Sequence, residues 1–71
     1  MTYYQVSEEE INDGNEILIK SYLKYREALL DYKHREPQPV SRSVKLHKIT
    51  FTCEHSELTY YDKGLLMERA I

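Results

Sequence analysis

The chain has 71 residues, of which 41% are hydrophobic, 11% aromatic and 31% charged, with a formal net charge of −2. This length excludes a multidomain protein and leaves too small a core for the deep pocket that most enzymes need, so we predict one non-enzymatic domain over residues 1–71. The single cysteine, Cys53, excludes an intrachain disulfide framework.

Targeting signals are not evident in the sequence. The first ten residues lack the basic region and apolar run of a secretory signal, and no segment reaches the ~18 apolar residues of a membrane span. We therefore expect a cytoplasmic protein.

The N-terminal half carries the pattern of a long helix. Residues 1–6 are predicted to form an arm, and Ser7 followed three residues later by Glu10 matches a helix-capping box. Basic residues near 33–35, followed by Pro37, suit the end of a helix. The sequence therefore predicts a helix over residues 7–35.

Apolar and aromatic side chains recur along this segment at helical spacing. The repeat, with alternating steps of four and three, comprises Ile11, Asn15, Leu18, Tyr22, Tyr25, Leu29 and Tyr32. Such a stripe is typical of a helix that packs against another helix or a partner. The predicted partner-binding residues are its tyrosine-rich part, namely Leu18, Tyr22, Tyr25, Leu29 and Tyr32.

Two features complicate a continuous helix. Residues 13–15 read Asp-Gly-Asn, which is turn chemistry. We therefore expect a kink there or, alternatively, a short first helix, a turn and a second helix that begins near Asn15. An unbroken helix of about 27 residues would span about 40 Å, whereas a compact chain of this length has a diameter of about 29 Å. Because such a helix overhangs its own domain, we expect a homodimer.

A basic segment over residues 33–48 begins in the last turn of the predicted helix. Residues 36–43 are predicted to be a linker, and residues 20–48 carry a net charge of +5 between segments of −5 and −2. The alternative function, a nucleic-acid-associated regulator, depends on phosphate contacts from the basic segment 33–48. Its candidate residues are Lys33, Arg35, Arg42, Lys45 and Lys48.

Residues 44–71 are predicted to form a strand pair and a short helix. Ile49, Phe51 and Cys53 alternate with threonines, which indicates a strand, and a polar connection over 54–57 precedes a second strand. Strong helix formers over 65–70 favour a C-terminal helix. Alternatively, residues 62–64 form a tight turn and 65–71 a third strand.

Metal binding and nucleophilic catalysis are the remaining chemical possibilities. Cys53, His55 and His47 carry suitable ligand atoms for zinc, but their spacing matches none of the usual patterns. Nothing near these residues indicates an oxyanion site or an oriented base. The sequence predicts no catalytic, metal or cofactor site.

The predicted fold class is α+β, with a long N-terminal helix packed on a small antiparallel β-hairpin and a short C-terminal helix. The predicted function is a small homodimeric protein-binding module that regulates or inhibits a partner protein by occupancy. Accessory proteins of phages and mobile elements are similar in kind, by analogy only. No membrane partner is expected.

Overall fold

The computed structural model describes all 71 residues and is mostly antiparallel sheet, with 62% of residues in strands and 14% in a helix. The elements in chain order are β1 (Thr2–Glu10), β2 (Glu16–Tyr22), α1 (Tyr25–His34), β3 (Ser41–Glu54) and β4 (Glu57–Ala70). The strands form one sheet in the order β2-β1-β3-β4, and every neighbouring pair is antiparallel. The single helix covers one face of this sheet.

The prediction of a long helix over residues 7–35 is wrong. Ser7 lies in the middle of β1 and is completely buried, so it does not cap a helix. The Asp-Gly-Asn segment instead joins β1 to β2, with Gly14 at a φ of 68° that favours glycine. Aspartate-glycine between strand-forming residues is a strong hairpin signal, and this local turn outweighs the helical spacing around it.

The predicted C-terminal helix is also wrong, because residues 65–70 continue β4. Leucine, methionine and glutamate favour helices in isolation, but here they belong to β4, which pairs with β3 over almost its whole length. The predicted strand over 44–53 lies within β3, and the predicted polar connection shortens to a two-residue turn. His55 and Ser56 form this turn with φ values of 51° and 67°, as expected for a tight hairpin.

The core lies between α1 and the centre of the sheet. Val6 of β1 and Val44 and Leu46 of β3 are completely buried beneath Ala28 and Tyr32 of the helix. Alternate residues along each strand point to this face, as the pleat of a sheet requires. We call this the helix face, and the opposite side of the sheet the open face.

The helix lies over the middle of the sheet, since its buried residues Ala28 and Tyr32 share one cluster with Val6 of β1 and with Val44 and Leu46 of β3. The buried side chain of Glu8, on the helix face, holds the connection between α1 and β3 in place. Its Oε1 accepts hydrogen bonds from the Gln38 backbone amide at 2.8 Å and from Ser41 Oγ at 2.7 Å. Arg35 Nη1 lies 3.5 Å from its other oxygen. One carboxylate thus anchors the end of the helix and the following connection to the sheet.

Candidate functional site

The open face of the sheet is the candidate functional site. Residues 45, 47 and 49 alternate with the core positions of β3 and therefore point away from α1. No second layer of secondary structure lies on this side, since the helix contacts the sheet from the other face. Its centre is nevertheless buried, because long side chains from both edges fold across it. The open face has an aromatic end, a polar centre and a charged end.

Three rings form a strip across the aromatic end. The Tyr3 and Phe51 rings lie edge to face with centroids 5.9 Å apart, and Tyr61 is paired directly with Phe51 on the neighbouring strand. Tyr61 is 52% exposed. We call Tyr3, Phe51 and Tyr61 the aromatic strip. Tyrosine and phenylalanine are enriched at protein interfaces because they offer rigid apolar area.

An apolar groove of ≈ 420 Å³ adjoins the aromatic strip. It lies where β1 begins and β2 ends, and Leu23, which lines it, is 82% exposed. The lining residues are Met1, Thr2, Tyr3, Ser21, Tyr22, Leu23 and Phe51. A groove of this volume is at the small end of ligand sites and accommodates one or two large side chains.

The charged end is organised by Glu9. Its carboxylate accepts hydrogen bonds from Arg42 and from Lys45 Nζ, the latter at 2.8 Å. These two hydrogen bonds lower the pKa of Glu9 from 4.5 to about 2. Glu9 in turn raises the pKa of Lys45, and Glu68 lies 3.6 Å from the same ammonium. Glu9, Arg42 and Lys45 are therefore charged at neutral pH.

An ion pair between the two edge strands covers the polar centre. Lys63 of β4 donates a hydrogen bond to Glu16 of β2, across the two strands that separate them. Burial acts to raise the pKa of Glu16, but the Lys63 hydrogen bond and charge lower it overall. Ser7 Oγ donates to the same carboxylate at 3.5 Å. His47 Nδ1 lies 3.6 Å from it.

The imidazole of His47 lies buried in the polar centre. Burial lowers the pKa of the imidazole, because desolvation disfavours the charged form. Its Nδ1, together with Gln5 Oε1 and Ser43 Oγ, has no hydrogen-bond partner within the protein. The centre of the open face thus holds unused polar atoms between an apolar and an ionic region.

The five predicted partner-binding residues do not share one helical face. Leu18 and Tyr22 belong to β2, whereas Tyr25, Leu29 and Tyr32 belong to α1. Tyr32 is 7% exposed and lies in the core, and Tyr22 and Leu29 pack against it. Leu18 and Tyr25 remain exposed. A role for these residues in binding a partner stays a prediction.

A polar cluster explains the position of Tyr22 and Leu18. The Tyr22 hydroxyl donates to Asp31 at 2.7 Å, and Arg35 donates to both oxygens of the same carboxylate at 2.9 Å. Burial, followed by Asp31, raises the pKa of Tyr22 to about 12. Arg35 also donates to the Leu18 carbonyl at 2.8 Å, where the chain adopts a φ of 53°. The cluster ties the helix to β2.

The predicted nucleic-acid residues are dispersed and mostly paired. Arg35 is bound to Asp31 and Glu8, and Arg42 and Lys45 are bound to Glu9. The other two, Lys33 and Lys48, are exposed on the helix and on β3. Since phosphate binding depends on cations without internal partners, this arrangement does not concentrate free positive charge.

The three residues considered for zinc do not meet. His47 is buried in the polar centre, whereas Cys53 and His55 are exposed at the end of the β3–β4 hairpin. The structure holds no group of three or more histidine, cysteine or acidic side chains placed to bind a metal ion.

The aromatic strip is not predicted by the sequence pattern. The pattern places Phe51 on a strand, but its neighbours Tyr3 and Tyr61 come from two other strands and meet it only through the register of the sheet. The available signal was the alternation of Phe51 with Thr50 and Thr52, which marks an apolar position facing one side.

Comparison of the chain with protein-family models, with curated proteins and with solved structures found no match. No helix in the structure combines the length and the apolar character needed to cross a membrane.

Proposed function

We propose that the protein is a binding module that docks a protein partner on its open face and regulates that partner by occupying its surface. The observation that carries this proposal is the aromatic strip beside the apolar groove. Binding energy in protein interfaces concentrates in a few aromatic anchors and the pockets next to them, surrounded by polar residues that exclude water. The open face has the aromatic anchors and the adjacent groove, and its polar centre borders them on one side.

The apolar lining of the groove indicates which side chains of a partner it would bind. The groove is apolar at five of its seven lining residues, so it favours a large apolar side chain. The strip beside it offers flat rings on which a second such side chain packs. We therefore propose a partner segment with two bulky apolar residues. As part of the proposal we place this function in the cytoplasm, where the free and exposed thiol of Cys53 is stable.

The chain offers a matched pair of variants to test the aromatic strip. Tyr61 and Tyr60 are adjacent and are 52% and 53% exposed, but Tyr61 pairs with Phe51 on the open face and Tyr60 pairs with Thr52 on the other side. A partner is captured with the wild-type chain from lysate of the source cells and then purified. Its dissociation constant is measured by calorimetry against the wild type, Tyr61→Ser and Tyr60→Ser.

Tyr61→Ser should weaken binding about tenfold or more, as loss of an interface anchor does, whereas Tyr60→Ser should change it less than about threefold. A second pair tests the groove in the same way: Leu23→Ser removes a lining residue, and Leu30→Ser removes an exposed leucine of α1. Equal effects within each pair would contradict docking on the open face.

A further inference from the structure

The backbone edge of β4 is a second surface without a partner. β4 runs for 14 residues at the edge of the sheet, and β3 is its only neighbour. An edge strand presents a row of unpaired amide and carbonyl groups, and proteins usually protect such edges. Leu65 and Leu66 in the middle of this edge are 52% and 44% exposed. A long edge with exposed leucines needs an explanation.

The order of charges along β4 is self-complementary. The strand carries an acid at Asp62 and a base at Lys63, then four uncharged residues, then an acid at Glu68 and a base at Arg69. When the strand is laid antiparallel on a second copy, one register places Asp62 opposite Arg69 and Lys63 opposite Glu68. The two-fold axis relating the copies passes between residues 65 and 66. All four charges within the overlap of each strand then face an opposite charge.

A bulge in β4 allows this register. Leu46 pairs with Met67 and His47 pairs with Leu65, so Leu66 is an extra residue in the strand. An extra residue reverses the alternation of side chains between the two faces. Residues 61 and 63 therefore share the open face with residue 68, which a regular strand would place on the other side.

The paired charges consequently lie on matching faces. Lys63 is paired with Ile49 and Glu68 with Lys45, which are both open-face positions. Asp62 and Arg69 are paired with residues 50 and 44 of the helix face. A two-fold axis perpendicular to the sheet keeps each face on its own side. Each charge therefore meets its opposite on the same face, where cross-strand side chains contact each other.

The neighbouring registers are unfavourable. Shifting the second copy by one residue in either direction places open-face residues opposite helix-face residues, so the paired side chains lie on opposite sides of the sheet. Asp62, for example, then lies opposite Glu68 or Ala70 instead of Arg69. Of these three registers, only the one with residues 65 and 66 at the two-fold axis combines matching faces with opposite charges.

Three of these four side chains already have a partner within their own chain. Arg69 Nη2 donates to the carbonyl oxygens of Tyr32 and Arg35 at 3.0 and 2.7 Å, while its Nε has no partner. Lys63 is bound to Glu16, and Glu68 lies 3.6 Å from Lys45. Asp62 is exposed without such a partner, so it can meet Arg69 of the second copy directly, whereas the Lys63–Glu68 contact requires Lys63 to leave Glu16.

We propose that two copies of this chain associate through β4, antiparallel and in the register that places residues 65 and 66 at the two-fold axis. The product is a continuous eight-stranded sheet with both helices on one face and both open faces on the other. Dimerisation through this edge is independent of the proposed partner site, because it joins backbone edges and leaves the open face uncovered.

The first test changes one charge that has no ion-pair partner within the chain. Asp62 is exposed and makes no side-chain hydrogen bond or ion pair, and Asp62→Lys would place like charges opposite Arg69 twice. Sedimentation velocity over a range of concentrations should show a dimer for the wild type. The dissociation constant should be about tenfold higher for Asp62→Lys. Glu57→Lys, on the same strand but outside the overlap, should leave it unchanged.

The second test is a charge swap between two variants, whose mixture restores both contacts between residues 63 and 68. Lys63→Glu and Glu68→Lys each place like charges in contact and should each weaken the dimer. An equimolar mixture of the two variants should form the dimer again, because the mixed dimer has opposite charges at both contacts. Each variant still lacks its own contact within the chain, with Glu16 or with Lys45. A monomeric wild type would overturn the proposal. So would a dimer indifferent to these changes, or variants that fail to recover on mixing.

Discussion

On the helix face, Val6, Val44 and Leu46 are completely buried beneath α1, whereas on the open face β1 and β3 bury Ser7 and His47 with no second layer above them. The first face excludes water with apolar side chains from another element. The second face excludes it with long charged side chains that belong to the sheet itself. The same strands therefore combine two kinds of burial, and these should respond differently to mutation, pH and salt.

The difference matters for function. Burial beneath a helix is permanent in the folded protein, whereas burial beneath the Lys63–Glu16 ion pair depends on two flexible side chains. A partner docking on the open face can displace such side chains without unfolding the sheet. Binding on the open face would therefore reduce the stability of the fold less than binding on the helix face, and the aromatic strip lies on the open face.

The largest expected effect comes from the apolar side of this comparison. Leu46→Ala should lower the free energy of unfolding by about 3–5 kcal/mol, because it removes a completely buried side chain and leaves a cavity. Urea unfolding followed by circular dichroism measures this change. Leu58→Ala is the matched control, since Leu58 is 59% exposed, and it should cost less than about 1 kcal/mol. Equal losses would mean that the core lies elsewhere.

The second largest effect concerns the one buried carboxylate of the helix face. Glu8→Ala leaves Arg35 with one partner fewer and removes the acceptor for Ser41 and the Gln38 amide. We expect a loss of about 2–3 kcal/mol in the free energy of unfolding, because Arg35 keeps Asp31 as a partner. Glu36→Ala, at an exposed position, is the control. A loss no larger than that of the control would show that Glu8 does not anchor the connection.

Local signals in the sequence explain part of this fold. The turn at 13–15 and the strand around Phe51 have clear signals, because turn chemistry and side-chain alternation act over a few residues. The predicted helix start at Ser7 is wrong, because the segment that carries the capping pattern pairs with β3 as a strand. The predicted helix over residues 65–70 is wrong for the same reason, since helix propensity stabilises less than a full ladder of strand hydrogen bonds.

The candidate site was less accessible from sequence than the turns. Tyr3 and Phe51 are 48 residues apart and come into contact only when β1 pairs with β3. The bulge at Leu66, which allows the self-complementary register, has no signal of its own in the chain. Both features depend on long-range register, which composition and spacing do not specify.

A smaller effect is the pH dependence of stability caused by His47 on the open face. The pKa of His47 is lowered by burial, so the unfolded chain binds a proton more readily than the folded chain. As the pH falls from about 7.5 to 5.5, stability should therefore fall, and it should do so in the wild type but not in His47→Gln. Urea midpoints across this range measure the effect. His55→Asn, at an exposed turn position that tolerates a positive φ, should behave as the wild type does.

The smallest expected effect lies in the ion pairs at the charged end of the open face. Glu9 and Lys45 are partly buried, but glutamine keeps an acceptor oxygen for Arg42 and Lys45, so Glu9→Gln should shift the urea midpoint less than Glu8→Ala does. Its effect should appear in acid instead. The pKa of Glu9 is lowered from 4.5 to about 2 by Arg42 and Lys45, so its contribution is complete above pH 4.5 and is lost as the pH falls toward 2. Over that interval the wild type should lose more stability than Glu9→Gln does. Parallel acid titrations would contradict the role assigned to this carboxylate.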